Sequence, residues 1–158
     1  MTRACCFTGH RELPATDSSE YRALYKALHH AISDAIRLGC TTFYLGGASG
    51  FDMLAAETLL RFQKLWKKSP LRLFICVPFI GHDFAFSEED RARFALLKEK
   101  ATEVHYLSDR YTPLCYTERN RYMVAHSDVC IAYVRKHKSG SSQTLQMASK
   151  KRCILILL

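Results

Sequence analysis

A strand, a glycine turn and a helix follow one another in residues 44–57, and this junction most constrains what the chain can fold into. The apolar run at residues 41–45 predicts a buried strand, and an amphipathic helical pattern begins directly after Gly50. Gly46 and Gly47 lie between the two elements. This order can present the N–H groups of a helix N-terminus to an anion or a ribose. A tight βα loop without a ligand is the alternative.

The glycine turn reads Gly46-Gly47-Ala48-Ser49-Gly50. It fits neither G-x-G-x-x-G nor the P-loop, and no Lys-Ser or Lys-Thr pair follows it. The sequence therefore does not predict a standard dinucleotide or ATP site. Glycine is expected here because the backbone turns tightly and a Cβ would obstruct a ligand that approaches it.

Length and composition favour one domain over residues 1–158. The chain is 48% hydrophobic, which is enough to form a core. No apolar run approaches the roughly 20 residues of a membrane-spanning helix, and the first residues leave no room for a signal peptide. Seven cysteines without C-x-x-C spacing are typical of free thiols in a reducing cytoplasm. We expect neither a metal site nor a cofactor.

The formal net charge is +8, yet it is not concentrated in a tail. Residues 1–79 carry ten Lys/Arg and six Asp/Glu, and residues 80–158 carry thirteen and nine, so each half has a net charge of +4. Residues 129–158 contain six Lys/Arg and no acid, which gives this stretch +6. Such a field attracts phosphates; a solvated basic face is the alternative.

Strand and helix patterns alternate along the whole chain. Strands that are apolar on both faces are typical of a parallel sheet covered by helices on each side, so we expect an α/β fold with a doubly wound sheet of about six strands. The predicted strands are residues 4–8, 41–45, 71–77, 104–107, 129–134 and 153–158. The predicted helices are residues 18–38, 51–66, 87–101, 115–126 and 144–151.

Polar residues cluster after three of the predicted strands. Ligands of such sheets bind beyond the carboxyl ends of the strands, so we expect these three loops to meet at one edge and form a pocket. The candidate ligand-binding residues are Thr8, Gly9, His10, Arg11, Gly46, Gly47, Ala48, Gly50, Asp52, Arg119, Asn120, Gly140, Ser141, Ser142 and Thr144.

Several of these side chains have a second interpretation. His10 is either an acid/base group or a residue that orients its turn. Arg11 suits phosphate or base recognition through its planar donor fork, and a surface salt bridge is the alternative. Arg119 and Asn120 either reach the ligand or belong to an exposed helix face.

Three motifs together resemble the SLOG superfamily of Rossmann-like proteins, named after Smf/DprA and the LOG enzymes. They are Thr8-Gly9-His10-Arg11, Gly47-Ala48-x-Gly50-x-Asp52 with Ala55-Ala56-Glu57, and Asn120-x-x-Met123-x-x-x-Ser127-Asp128. The resemblance covers residues 6–156 and is nearest to the small bacterial YpsA-like branch. It implies a strand order near 3-2-1-4-5-6 and a pocket for a nucleotide or nucleotide-derived ligand.

LOG-type enzymes are similar to phosphoribohydrolases, whose second motif is P-G-G-x-G-T-x-x-E. The corresponding residues 138–147 retain glycine and hydroxyl residues, but Gln146 and Met147 stand where the glutamate would be. Glutamine cannot transfer a proton as a carboxylate does. Asp52 and Glu57 are the remaining catalytic candidates, although they lie about 140° apart around the predicted helix. We therefore favour binding without turnover.

Three functions follow in order of preference. The first is a nucleotide-binding or sensing domain, the second a nucleoside-monophosphate glycosidase, and the third a DNA-associated protein related to DprA. DNA ranks last because there is no helix-turn-helix signature or aromatic–basic interleaving. We expect the phosphate at residues 139–144 and a sugar or base amine at Asp52, since a phosphate beside Asp52 would meet a like charge. The base and any self-association are left open.

Overall fold

A parallel six-stranded sheet with five α-helices forms the structure, which is a computed structural model describing residues 2–158. The predicted α/β fold with helices on both faces is confirmed. The strands are β1 Arg3–Gly9, β2 Cys40–Leu45, β3 Arg72–Val77, β4 Glu103–Tyr106, β5 Val129–Tyr133 and β6 Ile154–Leu157. The helices are α1 Ser19–Arg37, α2 Phe51–Leu65, α3 Glu88–Lys100, α4 Cys115–Ala125 and α5 Gly140–Lys150, with a 3₁₀ turn at His82–Ala85.

The strand order is β4-β3-β2-β1-β5-β6, and every pairing is parallel. The implied order 3-2-1-4-5-6 is wrong for the fourth strand, which extends the sheet beyond β3 instead of pairing with β1. Burial explains the difference. All residues of β5 are buried, as a central strand requires, whereas the four residues of β4 are exposed or half-buried, as an edge allows. Strands β1 to β4 are thus added in one direction across the sheet, and β5 and β6 are added on the other side of β1, so the topological switch lies between β1 and β5.

Two hydrophobic cores lie on opposite faces of the sheet. Helices α1, α2 and α3 contribute to the larger core, and the side chains of Cys5 and Phe7 of β1 belong to it. Helices α4 and α5 cover the smaller core, where Cys6 points. This alternation along β1 follows from the two-residue period of a strand. Because the helices cover both faces of the sheet, the loops at the carboxyl ends of its strands are not covered by them.

Helix α5 begins four residues earlier than predicted. Ser139 is the N-cap: its hydroxyl accepts from the Ser142 N–H, and the Ser142 hydroxyl accepts from the Ser139 N–H. This is a capping box in which serine takes the place of the usual Glu or Gln. Residues 140–142, predicted as loop, therefore belong with residue 143 to the first helical turn.

All seven cysteines are free thiols in the described chain, and all but Cys153 are buried. Among residues 2–158, no three His, Cys, Asp or Glu side chains are grouped as metal ligands would be. None of the helices in this range is both long and apolar enough to cross a membrane.

Candidate functional site

A pocket of about 320 Å³ opens at the carboxyl edge of the sheet, at the switch between β1 and β5. The loops after β1, β2 and β5 meet there, which confirms the expected convergence. The predicted ligand residues that line the pocket are Thr8, Gly9, His10, Arg11, Ala48, Asp52, Arg119, Asn120, Gly140 and Ser141. Phe7, Tyr116, Met123 and Ser139 also line it, and they were absent from the predicted set.

Gly46, Gly47 and Gly50 do not line this pocket; they pack against the protein itself. A Cβ on Gly50 would lie 2.1 Å from the carbonyl oxygen of Arg11, and Gly50 has a φ of +79°. A Cβ on Gly46 would lie 2.6 Å from the guanidinium of Arg119. Glycine is thus required here by protein contacts rather than by the approach of a ligand.

Asp52 and Arg119 are a pair of buried, oppositely charged residues at the base of the pocket, 7% and 6% exposed, which do not form a direct salt bridge. Arg119 donates to the carbonyl oxygen of Gly46 and, through Nε, to Asn120 Oδ1 at 2.7 Å. Asp52 Oδ2 accepts from the Ala48 N–H at 3.3 Å. Burial raises the pKa of Asp52 and lowers that of Arg119, and the opposite charge of each partner limits both changes. The pair therefore holds the glycine turn in place.

His10 ties the loop after β1 to the loop after β5. Its Nε2 accepts from the backbone N–H groups of Arg135 and Lys136, so the ring is uncharged with its proton on Nδ1. Burial lowers the pKa of His10, and the positive charges of Lys136 and Arg135 lower it further. Of its two interpretations, the structure supports a residue that orients its turn.

The N-terminus of α5 offers two open backbone donors to the pocket. Ser139 and Ser142 satisfy each other's N–H groups, while those of Gly140 and Ser141 have no partner within residues 2–158. A Cβ on Gly140 would have nothing within 4 Å. Open N–H groups at the positive end of a helix dipole are the groups by which helix N-termini generally bind anions.

Ser142 and Thr144 lie outside the pocket, although both were predicted to bind the ligand. The Ser142 hydroxyl donates toward the carbonyl oxygens of His137 and Ser139. The Thr144 hydroxyl donates to the Gly140 carbonyl at 3.0 Å and is fully buried. Both hydroxyls thus stabilise the first turns of α5.

A family model named YpsA, described as the YspA SLOG family, matches residues 5–153. The chain belongs to this family. A UPF0398 protein of Bacillus cereus (strain G9842) is 23% identical over 129 residues, which are 80% of this chain and 69% of that relative. The predicted resemblance to the YpsA-like branch is confirmed.

Two solved structures of DNA processing protein A share the fold of this SLOG family member. The Helicobacter pylori protein, described for its single-stranded DNA binding mode, has a TM-score of 0.68 and 19% identity. The Streptococcus pneumoniae protein has a TM-score of 0.66 and 16% identity. The match covers 98% of this chain but only 64% and 49% of those two chains. At these identities the likeness concerns the fold alone.

One face of α4 supplies four residues to the pocket of this SLOG family member. Tyr116, Arg119, Asn120 and Met123 recur at i, i+3, i+4 and i+7, the spacing of one helix face. The Tyr116 ring lies 5.5 Å from the guanidinium carbon of Arg11 and 5.7 Å from that of Arg119. Helical spacing from Arg119 was the sequence signal that could have identified Tyr116 and Met123.

Glu57 lies outside the pocket. Its carboxylate pairs with Arg93 of α3, and it borders a separate groove between α2 and α3. This placement follows from its angular offset from Asp52 on α2. Asp52 is consequently the one acidic residue, among those the structure describes, that lines the pocket.

We expect the free energy of unfolding to decrease as the pH falls below about 6.5, because the fold holds His82 uncharged. His82 is buried among aromatic rings, its Nε2 donates to the Gly47 carbonyl at 3.0 Å, and its Nδ1 has no partner in the described chain. Burial lowers its pKa from 6.5. The folded protein therefore binds this proton less readily than the unfolded chain, and stability is fully present only above the unfolded pKa.

Urea unfolding between pH 8 and pH 5 measures this effect. The variant His82→Gln retains an amide donor for Gly47 but cannot become charged, so its stability should depend less on pH. A variant with the same pH slope as the wild type would contradict the assignment.

Proposed function

We propose that the pocket binds a nucleotide, with its phosphate at the N-terminus of α5. The observation that carries the proposal is the pair of open N–H groups of Gly140 and Ser141. The first turn of α5 contains no acid, and the Gly140 backbone is accessible from the pocket. These are the conditions under which a helix N-terminus binds phosphate.

The nucleoside part belongs on the opposite side of the pocket, near Asp52. A phosphate there would meet a like charge, costing of order 1–4 kcal/mol at 4 Å for effective dielectric constants between 80 and 20. Arg11, Tyr116 and Asn120 add donor groups and an aromatic face beside it. A volume of about 320 Å³ is at the lower end of typical small-molecule sites.

Cleavage of an N-glycosidic bond is the weaker alternative. Glycosidases generally use two carboxylates on either side of the bond. Asp52 is the one pocket carboxylate among residues 2–158, and it already accepts from Ala48 next to Arg119. Gln146 lies beside a different depression, together with Leu145. Binding without turnover is therefore our preferred function.

DNA association is weaker still, although related folds are found in DNA processing proteins. Two of the six cations in residues 129–158 serve structural roles: Lys151 donates to three carbonyls at and just beyond the C-terminal end of α4, and Arg135 donates to the Leu158 carbonyl. Lys138 precedes α5 and Lys150 ends it, so the remaining cations are divided between the two ends of this helix. They do not form one continuous basic surface.

Isothermal titration calorimetry with AMP and with inorganic phosphate tests the proposal. Gly140→Val should weaken the binding of both at least tenfold, because a branched side chain would cover the two open N–H groups. Gln143→Val is the matched control, since it places valine on an exposed position of the same helix and should bind like the wild type. Equal affinity of Gly140→Val and wild type would contradict the phosphate site.

The variant Asp52→Asn tests the orientation. It should weaken adenosine binding while leaving the affinity for inorganic phosphate nearly unchanged. If inorganic phosphate instead binds several-fold more tightly to Asp52→Asn, the two ends of the ligand are reversed.

A further inference from the structure

A second surface, the groove between α2 and α3, combines an apolar floor with a basic rim. Its volume is about 440 Å³, and none of its residues lines the nucleotide pocket. On α2 it is bordered by residues 57, 60, 61, 63 and 64, and on α3 by residues 93, 96, 97 and 100. Apart from residue 63, both sets have the i, i+3, i+4, i+7 spacing of one helix face. One face of α2 and one face of α3 thus line the groove together.

Three leucines form the floor of the groove. Leu97 is almost completely buried in the core, whereas the Leu96 side chain is 50% exposed. Leu60 of α2 is partly buried opposite them. An apolar strip between two helices is the geometry that accepts a third amphipathic helix.

The charge around this floor is positive and largely uncompensated. Glu57 is neutralised by Arg93, which also pairs with Asp90. Within the described chain, neither Lys64 nor Lys100 pairs with a carboxylate. Arg61 lies over the Tyr25 ring and donates to a hydroxyl, so it also retains its charge. A partner that covers the leucines therefore meets three free cations.

We propose that this groove binds an acidic amphipathic helix of a partner protein. Leucine-type side chains of the partner would cover Leu60 and Leu96, and its carboxylates would lie against Lys64 and Lys100. Seven residues separate the first and last groove positions on each helix, so the contact is about two helical turns long. This inference is independent of the nucleotide site.

Fluorescence anisotropy with a synthetic labelled peptide tests the proposal. The probe is a helical peptide with leucine at i, i+3, i+4 and i+7 and glutamate on the flanking positions. The wild type should bind it at least tenfold more tightly than a peptide of the same composition whose leucine stripe is scrambled. Equal binding of the two peptides would overturn the proposal.

Two variants separate the apolar from the charged contribution. Leu96→Gln makes an exposed side chain polar without adding a charge, so the protein should fold and yet lose at least tenfold in affinity for the acidic peptide. The double variant Lys64→Glu/Lys100→Glu should lose affinity for the acidic peptide. It should gain affinity for a peptide in which lysine replaces every glutamate.

The control is Lys26→Glu/Lys150→Glu, which makes the same change in net charge at exposed positions outside the groove. It should bind the acidic peptide like the wild type. If it loses affinity as much as Lys64→Glu/Lys100→Glu, the attraction is a general effect of net charge and the groove assignment is wrong.

Discussion

Replacing Gly50 by alanine is expected to lower the free energy of unfolding by about 2–6 kcal/mol. Its φ of +79° is strained for any residue with a Cβ, which costs of order 1–3 kcal/mol. In addition, the new Cβ would lie 2.1 Å from the Arg11 carbonyl oxygen, so two backbone segments must move apart. Overpacking of this kind costs a further 1–3 kcal/mol or so.

Gly140→Ala is the matched control for this substitution. It introduces the same methyl group in a helical position where nothing lies within 4 Å, so stability should change by less than about 1 kcal/mol. Urea unfolding of the two variants at one pH measures the difference. Equal stability of the two would show that the loops after β1 and β2 can separate freely, contrary to the contacts described.

The second large effect is expected for Arg119→Leu, which removes the buried guanidinium below the pocket. The carbonyl oxygen of Gly46 would lose its donor, and the buried carboxylate of Asp52 would lose its compensating charge. The unsatisfied carbonyl costs about 1–3 kcal/mol and the lost charge compensation adds about 1–3 kcal/mol, which together give about 2–6 kcal/mol. We expect the free energy of unfolding of Arg119→Leu to fall by this amount.

A double-mutant cycle with Asp52→Asn assigns the cause. Asparagine can still accept from the Ala48 N–H but carries no charge, so the double variant should be more stable than Arg119→Leu alone. The interaction energy should lie near 1–3 kcal/mol. If the two substitutions are simply additive, the carboxylate and the guanidinium do not stabilise each other.

Most of the sheet could be predicted because its strands are short apolar runs between clear turn residues. The position of β4 could not, because pattern and length define a strand but say little about its neighbours. The polar residues Glu103 and His105 in this four-residue strand were the available sequence clue to an edge position. The start of α5 was also misplaced, because Ser142 completes a capping box that sequence rules assign to Glu or Gln.

The pocket loops could be predicted, but the direction of their side chains could not. Thr144 and Ser142 look like phosphate ligands in the sequence, yet their hydroxyls bond to the helix that contains them. Gly50 looks like a ligand contact, yet it is needed for packing against Arg11. Such roles depend on contacts between residues distant in sequence, and local patterns do not encode these contacts.

The links among the pocket loops bear on how quickly and how selectively a small molecule is captured. The Phe51 N–H donates to the His10 carbonyl, and the His10 ring accepts from two N–H groups of the loop after β5. Ordering a flexible residue costs about 1–2 kcal/mol of conformational entropy, and here folding has already ordered these loops. The ligand proposed for this pocket would therefore order little additional backbone on binding, and its binding would not require a slow closure of these loops. Selectivity between ligands would then depend on how well each one fits the preformed surface of the pocket.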